Sequence, residues 1–253
     1  MTTTAATATA TAPPEIDAEG EDTLRHIAEA HRFNRWMYET TSRNLRGRVL
    51  EIGSGIGNIS AQYLADSREL MLTDLRKHYC DQLRGRFADA PTLLGVREMD
   101  LVHPEFDNAY ADLLGTFDGV FALNVVEHIA DDRRAIENAC RLLRPDGRLV
   151  ILVPAYQRLF NTFDRSLDHF RRYTRASLES LFDTAALQVD RSRYFNLAGI
   201  PGWVLFGGVL RRPIIEQGPM KAYEALVPAF RVADRLTGGR VGLSVIVEGV
   251  KAG

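Results

Sequence analysis

The chain has 253 residues, 45% of them hydrophobic and 25% charged, and 31 basic residues oppose 33 acidic ones for a net charge of -2. These proportions are those of a globular protein; they exclude a wholly disordered chain, a collagen and a membrane bundle. No overall positive field exists to hold nucleic acid, so none is expected as a partner. No apolar run reaches the roughly 18 residues of a membrane span, and no basic segment followed by an apolar stretch opens the chain, so a cytoplasmic location is expected. Cys80 and Cys140 form no CxxC pair and read as buried free thiols of a reducing compartment.

In chain order, residues 1–20 are Thr- and Ala-rich with few large apolar side chains, which predicts a disordered tail. A domain over 21–253 follows, opening with a helical cap over 21–46. Within it, Asp22 to Asn44 carries apolar residues at three- and four-residue steps, with a break near His31 to Asn34. Strands are predicted at Arg48–Ile52, Glu69–Thr73, Leu94–Met99, Phe117–Leu123 and Arg148–Val153. Helices are predicted near Gly57–Ala65, Leu75–Phe87 and Asp132–Leu143, with a turn at Pro145-Asp146-Gly147. Thr174 suits the N-cap of a helix reaching Ala186, and strands at Gln188–Phe195 and Val241–Val250 close the chain. Alternating helices and near-continuously apolar strands predict an α/β fold with a mostly parallel sheet covered on both faces. An insertion over 197–239, with an amphipathic stretch from Met220 to Leu236, precedes the last strand.

The strongest motif is Val49-Leu50-Glu51-Ile52-Gly53-Ser54-Gly55-Ile56-Gly57-Asn58, a glycine loop between a strand and a helix. That is where a doubly wound sheet seats a nucleotide-like ligand. The spacing is G-x-G-x-G, not the G-x-G-x-x-G of dinucleotide sites. Glu51 beside the loop is poor company for a pyrophosphate and good company for an amino-bearing or cationic ligand. Asp74, ending the second strand, can accept from both hydroxyls of a ribose. Asp100, after the third, can accept from the exocyclic amine of adenine. The three strand ends together describe an amino acid joined through a sulfonium to adenosine.

The segments VLEIGSGIGN, LMLTD, REMDL and FDGVFALNVVEHI closely resemble the successive motifs of class I S-adenosylmethionine-dependent methyltransferases. The resemblance implies a Rossmann-like sheet of seven strands, the last antiparallel, with S-adenosyl-L-methionine as cofactor. It implies that Gly53 and Gly55, with their neighbours Ser54 and Asn58, line the methionine part and that Asp74, next to Leu75, holds the ribose. Asp100 and Leu101 would flank the adenine, and Asn124 and Val125 would face the amino acid and sulfonium.

On the acceptor side, His128 lies within reach of the transferring methyl group as a general base, or else orders its loop. Residues Asp164 to Tyr173 (DRSLDHFRRY) resemble a pattern of bacterial small-molecule methyltransferases. There His169 is a second base candidate, Arg172 a clamp for an anionic acceptor, and Tyr173 part of the same wall. The bland reading of the string is surface ion pairs with Tyr173 packed inward. Phe33, Trp36 and Tyr38, before the glycine loop, are candidates to cover the cofactor, and Phe160, Phe163 and Trp203 to add an apolar acceptor wall; as one aromatic wall they favour an aromatic or apolar acceptor, with core packing as the default for any one of them. The insertion reads as a lid, a homodimer contact, or a rest on a membrane surface with Arg211 and Arg212 at the headgroups. No sequence motif for a metal is present. The function expected is methyl transfer to an O, N or C nucleophile of a small-molecule acceptor in specialised metabolism. The alternatives are a membrane-linked lipid, polyprenyl or glycan acceptor, and an S-adenosylmethionine-binding module without transferase activity.

Overall fold

The computed structural model describes Arg25, residues 27–212 and residues 217–253. The tail expected over 1–20 lies outside the described residues, as does the start of the first expected helix. Helix α1 (His31–Thr41) starts after Ala30, whose non-helical φ and ψ of -83° and 67° place the expected break. The Rossmann-like alternation then runs β1 (Val49–Ile52), α2 (Ser60–Ala65), β2 (Leu70–Asp74), α3 (Lys77–Arg86), β3 (Leu93–Glu98), α4 (Phe106–Ala109), β4 (Phe117–Leu123), α5 (Asp132–Leu142) and β5 (Leu143–Pro154). After it come α6 (Thr162–Ser166), α7 (Arg175–Thr184), β6 (Leu187–Phe195), α8 (Gly199–Trp203), α9 (Gln217–Thr237) and β7 (Ser244–Lys251).

The seven strands form one sheet in the order β3-β2-β1-β4-β5-β7-β6. Strands β1 to β5 pair in parallel, and β7 runs antiparallel to both β5 and β6. Every residue of β1 and β2 is buried, as a sheet covered on both faces requires. Alternation divides the core: Leu50 and Ile52 join one apolar cluster with Val120, Ala122 and Ile136. Val49 joins the other, with Leu70, Leu72, Phe121 and Val150. Each such side chain contributes about 1.5–3 kcal/mol on burial.

The chain order reverses between β1 and β4, which opens a crevice beyond their carboxyl ends. Two expectations need local correction. The turn at Pro145-Asp146-Gly147 is part of β5: pairing passes from Phe117↔Leu143 to Gly119↔Arg148 across a bulge, and Asp146 takes a φ of 62°. The pattern Met220 to Leu236 belongs to a longer helix, α9, with Pro228 inside it. Thr174 does cap α7, accepting the Ser177 amide at 3.1 Å.

The insertion folds back over the sheet tips. Glu224 of α9 accepts the Phe33 amide at 3.1 Å and the Arg32 amide beside it. It thus serves the open N-terminus of α1, which has no capping side chain of its own. Arg231 pairs with Glu39 at 2.6 Å, and Asp234 accepts the amides of Asn196 and Leu197.

Candidate active site

The loop after β1 is built around positions that exclude side chains. Gly53 has a φ of 68°, and a Cβ there would lie 2.4 Å from Val125 Cγ2. Gly55 has a φ of 52° and turns its amide onto Asp74 Oδ2 at 2.9 Å. The other Asp74 oxygen accepts the Arg76 amide, also at 2.9 Å. Burial raises the Asp74 carboxyl above its ordinary pKa against the pull of these amides. Glu51 is buried beneath the loop and accepts from Ser60 Oγ. Desolvation lifts its carboxyl to about 8, so it is held largely protonated at neutral pH.

At the tip of β3, Asp100 Oδ1 accepts the Val102 amide at 2.9 Å, and Asn138 holds the Leu101 carbonyl at 2.6 Å. At the tip of β4, Asn124 takes a left-handed φ of 54° and donates its amide to Leu152 at 2.8 Å. Asparagine tolerates that region better than most residues. The turn sends the chain into the short 3-10 segment Val126–His128.

One cavity of about 890 Å³ runs from this loop to the insertion. Its far end gathers a polar cluster under aromatic side chains. Asp164, fully buried, accepts from Arg172 Nε at 2.7 Å, from the Asn161 amide at 2.9 Å and from His169 Nδ1 at 2.9 Å. Burial pushes the Asp164 carboxyl up, but the His169 hydrogen bond and the Arg172 charge outweigh it and hold it below its ordinary value. The Arg172 guanidinium lies 4.5 Å from the centroid of the Trp203 ring. His128 stands edge-on to His169, with centroids 4.6 Å apart. Glu127 is fully buried in the same wall, and among the described residues neither of its carboxylate oxygens has a hydrogen-bond partner.

A family model described as a methyltransferase domain matches residues 23–192. The chain belongs to the methyltransferase-domain family. It is 25% identical over 154 residues to the lovastatin diketide synthase lovF of Aspergillus terreus, covering 55% of this chain and 6% of that one. It is 30% identical over 142 residues to the O-methyltransferase rstn1 of Aspergillus nomiae, covering 53% of this chain and 58% of that one. The chain therefore spans less than two thirds of the length of these two curated relatives. The YcgJ protein of Bacillus subtilis superimposes with a TM-score of 0.56 at 16% identity, covering 87% of this chain and 98% of that one. The architecture bears out the expected class I methyltransferase fold, with its antiparallel β7.

In this methyltransferase domain every residue expected at the cofactor lines the cavity: Glu51 from β1, Gly53, Ser54, Gly55 and Asn58 from the loop after it, Asp74 at the end of β2 and Leu75 after it, Asp100 and Leu101 after β3, and Asn124 and Val125 after β4. His128, His169, Arg172 and Trp203 line it too. Four expected wall residues do not. Trp36 is buried against Phe195, with centroids 4.5 Å apart. Tyr38 packs on Tyr63 and donates its hydroxyl to Asp66 at 2.7 Å. Tyr173 is buried and donates to Asp132 at 2.8 Å. Phe160 is half-buried outside the lining. The reason is helical phase: α1 turns Phe33, Asn34 and Met37 to the cavity and the faces of Trp36 and Tyr38 to the core.

Within the DRSLDHFRRY string Asp164 is buried, whereas Asp168 is exposed at a φ of 55°. The Asn161–Asp164 capping box that sets it in place has a sequence trace, since an Asn three residues before an Asp is a helix-start pattern. Phe33 and Phe163, both expected from the sequence, line the cavity as well, as do Phe206 and Tyr223, which carry no motif that would single them out. Glu127, His128 and His169 bring potential ligand atoms within 4.8 Å of one another. Linear spacing gave no metal motif because the grouping joins two separate segments.

Proposed function

We propose that this methyltransferase moves a methyl group from S-adenosylmethionine to a nucleophile of a small-molecule acceptor. The observation that carries this reading is the continuity of the cavity, from the Asp74–Gly55 clasp at one end to the His128–His169 pair at the other. The donor set suits the cofactor. Each Asp74 oxygen spends one acceptor site on a backbone amide and keeps another for a ribose hydroxyl. S-adenosylmethionine supplies an electrophilic methyl carbon with a neutral thioether as leaving group. The protein's own part is placement and desolvation.

In this reading Asp74 and Asp100 hold the adenosyl part, and the glycine loop and Asn124–Val125 hold the amino-acid part. His128 and His169 stand at the acceptor end and handle the acceptor's proton. Asp164 takes the Nδ1–H of His169 and so leaves Nε2 as the nitrogen with a lone pair. Trp203, Phe206 and Tyr223 exclude water from the apolar chamber. The fungal relative rstn1 is named an O-methyltransferase, which supports an oxygen nucleophile. We read 21–253 as one domain, 21–46 as its cap and 197–239 as its lid. The buried free thiols Cys80 and Cys140 support a cytoplasmic setting.

The test is incubation of the purified protein with labelled S-adenosylmethionine and a panel of phenol, amine and enol acceptors. The expected result is S-adenosylhomocysteine formed in proportion to methylated product. Binding of the cofactor without turnover on any acceptor would favour a module without transferase activity.

A second reading, a membrane-linked acceptor, is supported by Val204, Leu205, Val209 and Leu210. These side chains are 40–67% exposed, on a segment whose Phe206 faces the cavity, and Arg211 follows them. Among the described residues no helix is long and apolar enough to cross a membrane, so contact would be peripheral. Flotation with anionic liposomes separates this reading from a homodimer through the same face, which sedimentation would report.

A further inference from the structure

We infer that Glu127, His128 and His169 form a binding site for one divalent first-row transition-metal ion, of the zinc class, at the acceptor end of the cavity. Three observations converge. The candidate ligand atoms of the three residues lie within 4.8 Å of one another. Glu127 is fully buried, and among the described residues both its carboxylate oxygens lack a hydrogen-bond partner, so their acceptor capacity is unspent where a cation would use it. His169 is oriented as a ligand: its Nδ1 is hydrogen-bonded to the buried Asp164, as the outer nitrogen of metal-bound histidines is in carboxylate–histidine–metal arrangements.

The two contributing segments are clamped by the backbone. The Phe170 amide donates to the Glu127 carbonyl at 2.8 Å, and the His169 amide donates to the Asp164 carbonyl at 2.9 Å. Arg172 is ion-paired with Asp164 at 2.7 Å, which commits its Nε there, and its charge also favours the ionised form of Glu127 against burial. Two imidazoles and one carboxylate favour zinc-like ions over calcium or magnesium, which prefer all-oxygen sites. Three protein ligands leave a position open to an exchangeable oxygen. With the ion bound, the two imidazoles would serve as ligands in place of acting as bases, and a hydroxyl acceptor at the open position would lose its O–H proton to solvent and keep the electron pair on oxygen, as zinc-bound water does.

This inference rests on the methyl-transfer reading for what the ion does, and not for whether it binds. The full chain is stripped with a chelator and titrated with Zn²⁺ by calorimetry and with Co²⁺ by visible absorption. Wild type is expected to take up one ion, with the d–d bands of a low-coordinate Co²⁺ site. Glu127→Gln and His169→Asn should each weaken binding at least about tenfold, and Asp164→Asn about tenfold through His169. Circular dichroism confirms that each variant is folded. For any that is not, acylation of histidines by diethylpyrocarbonate in wild type replaces it: Zn²⁺ should protect His128 and His169 and leave the exposed His31 reactive. No uptake by wild type, equal uptake by the folded variants, or no protection overturns the site. S-adenosylhomocysteine affinity measured on the same metal-free protein reports the cofactor reading separately, so the two failures are distinguishable.

Discussion

Asp74 reaches back 19 residues to hold Gly55: its Oδ2 accepts the glycine amide at 2.9 Å, while Oδ1 accepts that of Arg76. One carboxylate thereby fixes the loop after β1 and the turn after β2 in a single geometry. Asp74→Asn turns one of those acceptors into a donor facing an amide. A hydrogen bond to a charged group is worth about 1.5–3 kcal/mol. S-adenosylhomocysteine should therefore bind ten- to a hundredfold more weakly by calorimetry, with the fold intact by circular dichroism. Unchanged affinity would remove the ribose assignment.

Gly53 is constrained twice, by its φ of 68° and by Val125. Gly53→Ala should lower stability by about 1–3 kcal/mol, read from urea melts. The double variant with Val125→Ala should recover the contact part of that loss and leave the backbone part. A double variant as unstable as the single one would show that Val125 is not the obstacle.

Burial carries the Glu51 carboxyl from its ordinary value near 4.5 to about 8 in the folded state. The folded protein therefore holds a proton that the unfolded chain releases between those values, and this group's contribution to stability falls as pH rises toward and through 8. Glu51→Gln removes the titration. The stability of wild type relative to Glu51→Gln should decline between about pH 5 and about pH 8.5 in chemical denaturation. A flat difference would place the Glu51 titration outside that range.

Glu224 joins α9 to the amides that open α1. Replacement by alanine removes a capping partner worth about 0.5–2 kcal/mol. Hydrogen exchange should accelerate in α9 and at residues 31–34, while the central strands β1 and β4 stay protected. Acceleration spread evenly over the sheet would mean that Glu224 supports the whole fold and not the lid.

Trp36 and Trp203 should separate cleanly. Trp36→Ala removes a side chain packed on Phe195 and should cost about 3–5 kcal/mol of stability, without changing the ranking of acceptors. Trp203→Ala removes the wall over Arg172 and should change that ranking with a smaller stability loss. Acceptor profiles taken in parallel with thermal melts test both.

The sequence by itself determined the strand alternation, the glycine loop and the carboxylates at the ends of β2 and β3. These are written locally: a buried strand is a short apolar run, and the residue that leaves its tip is the next one along. Tertiary structure alone decided which face of α1 meets the cavity, placing Phe33 and Met37 there and Trp36 in the core. It alone buried Asp164 with Arg172 and His169, drew Glu127 and His128 beside them, and set Glu224 over the start of α1. Helical periodicity marks an apolar stripe without naming its partner. Contacts between distant segments arise only when the packed sheet brings their carriers together.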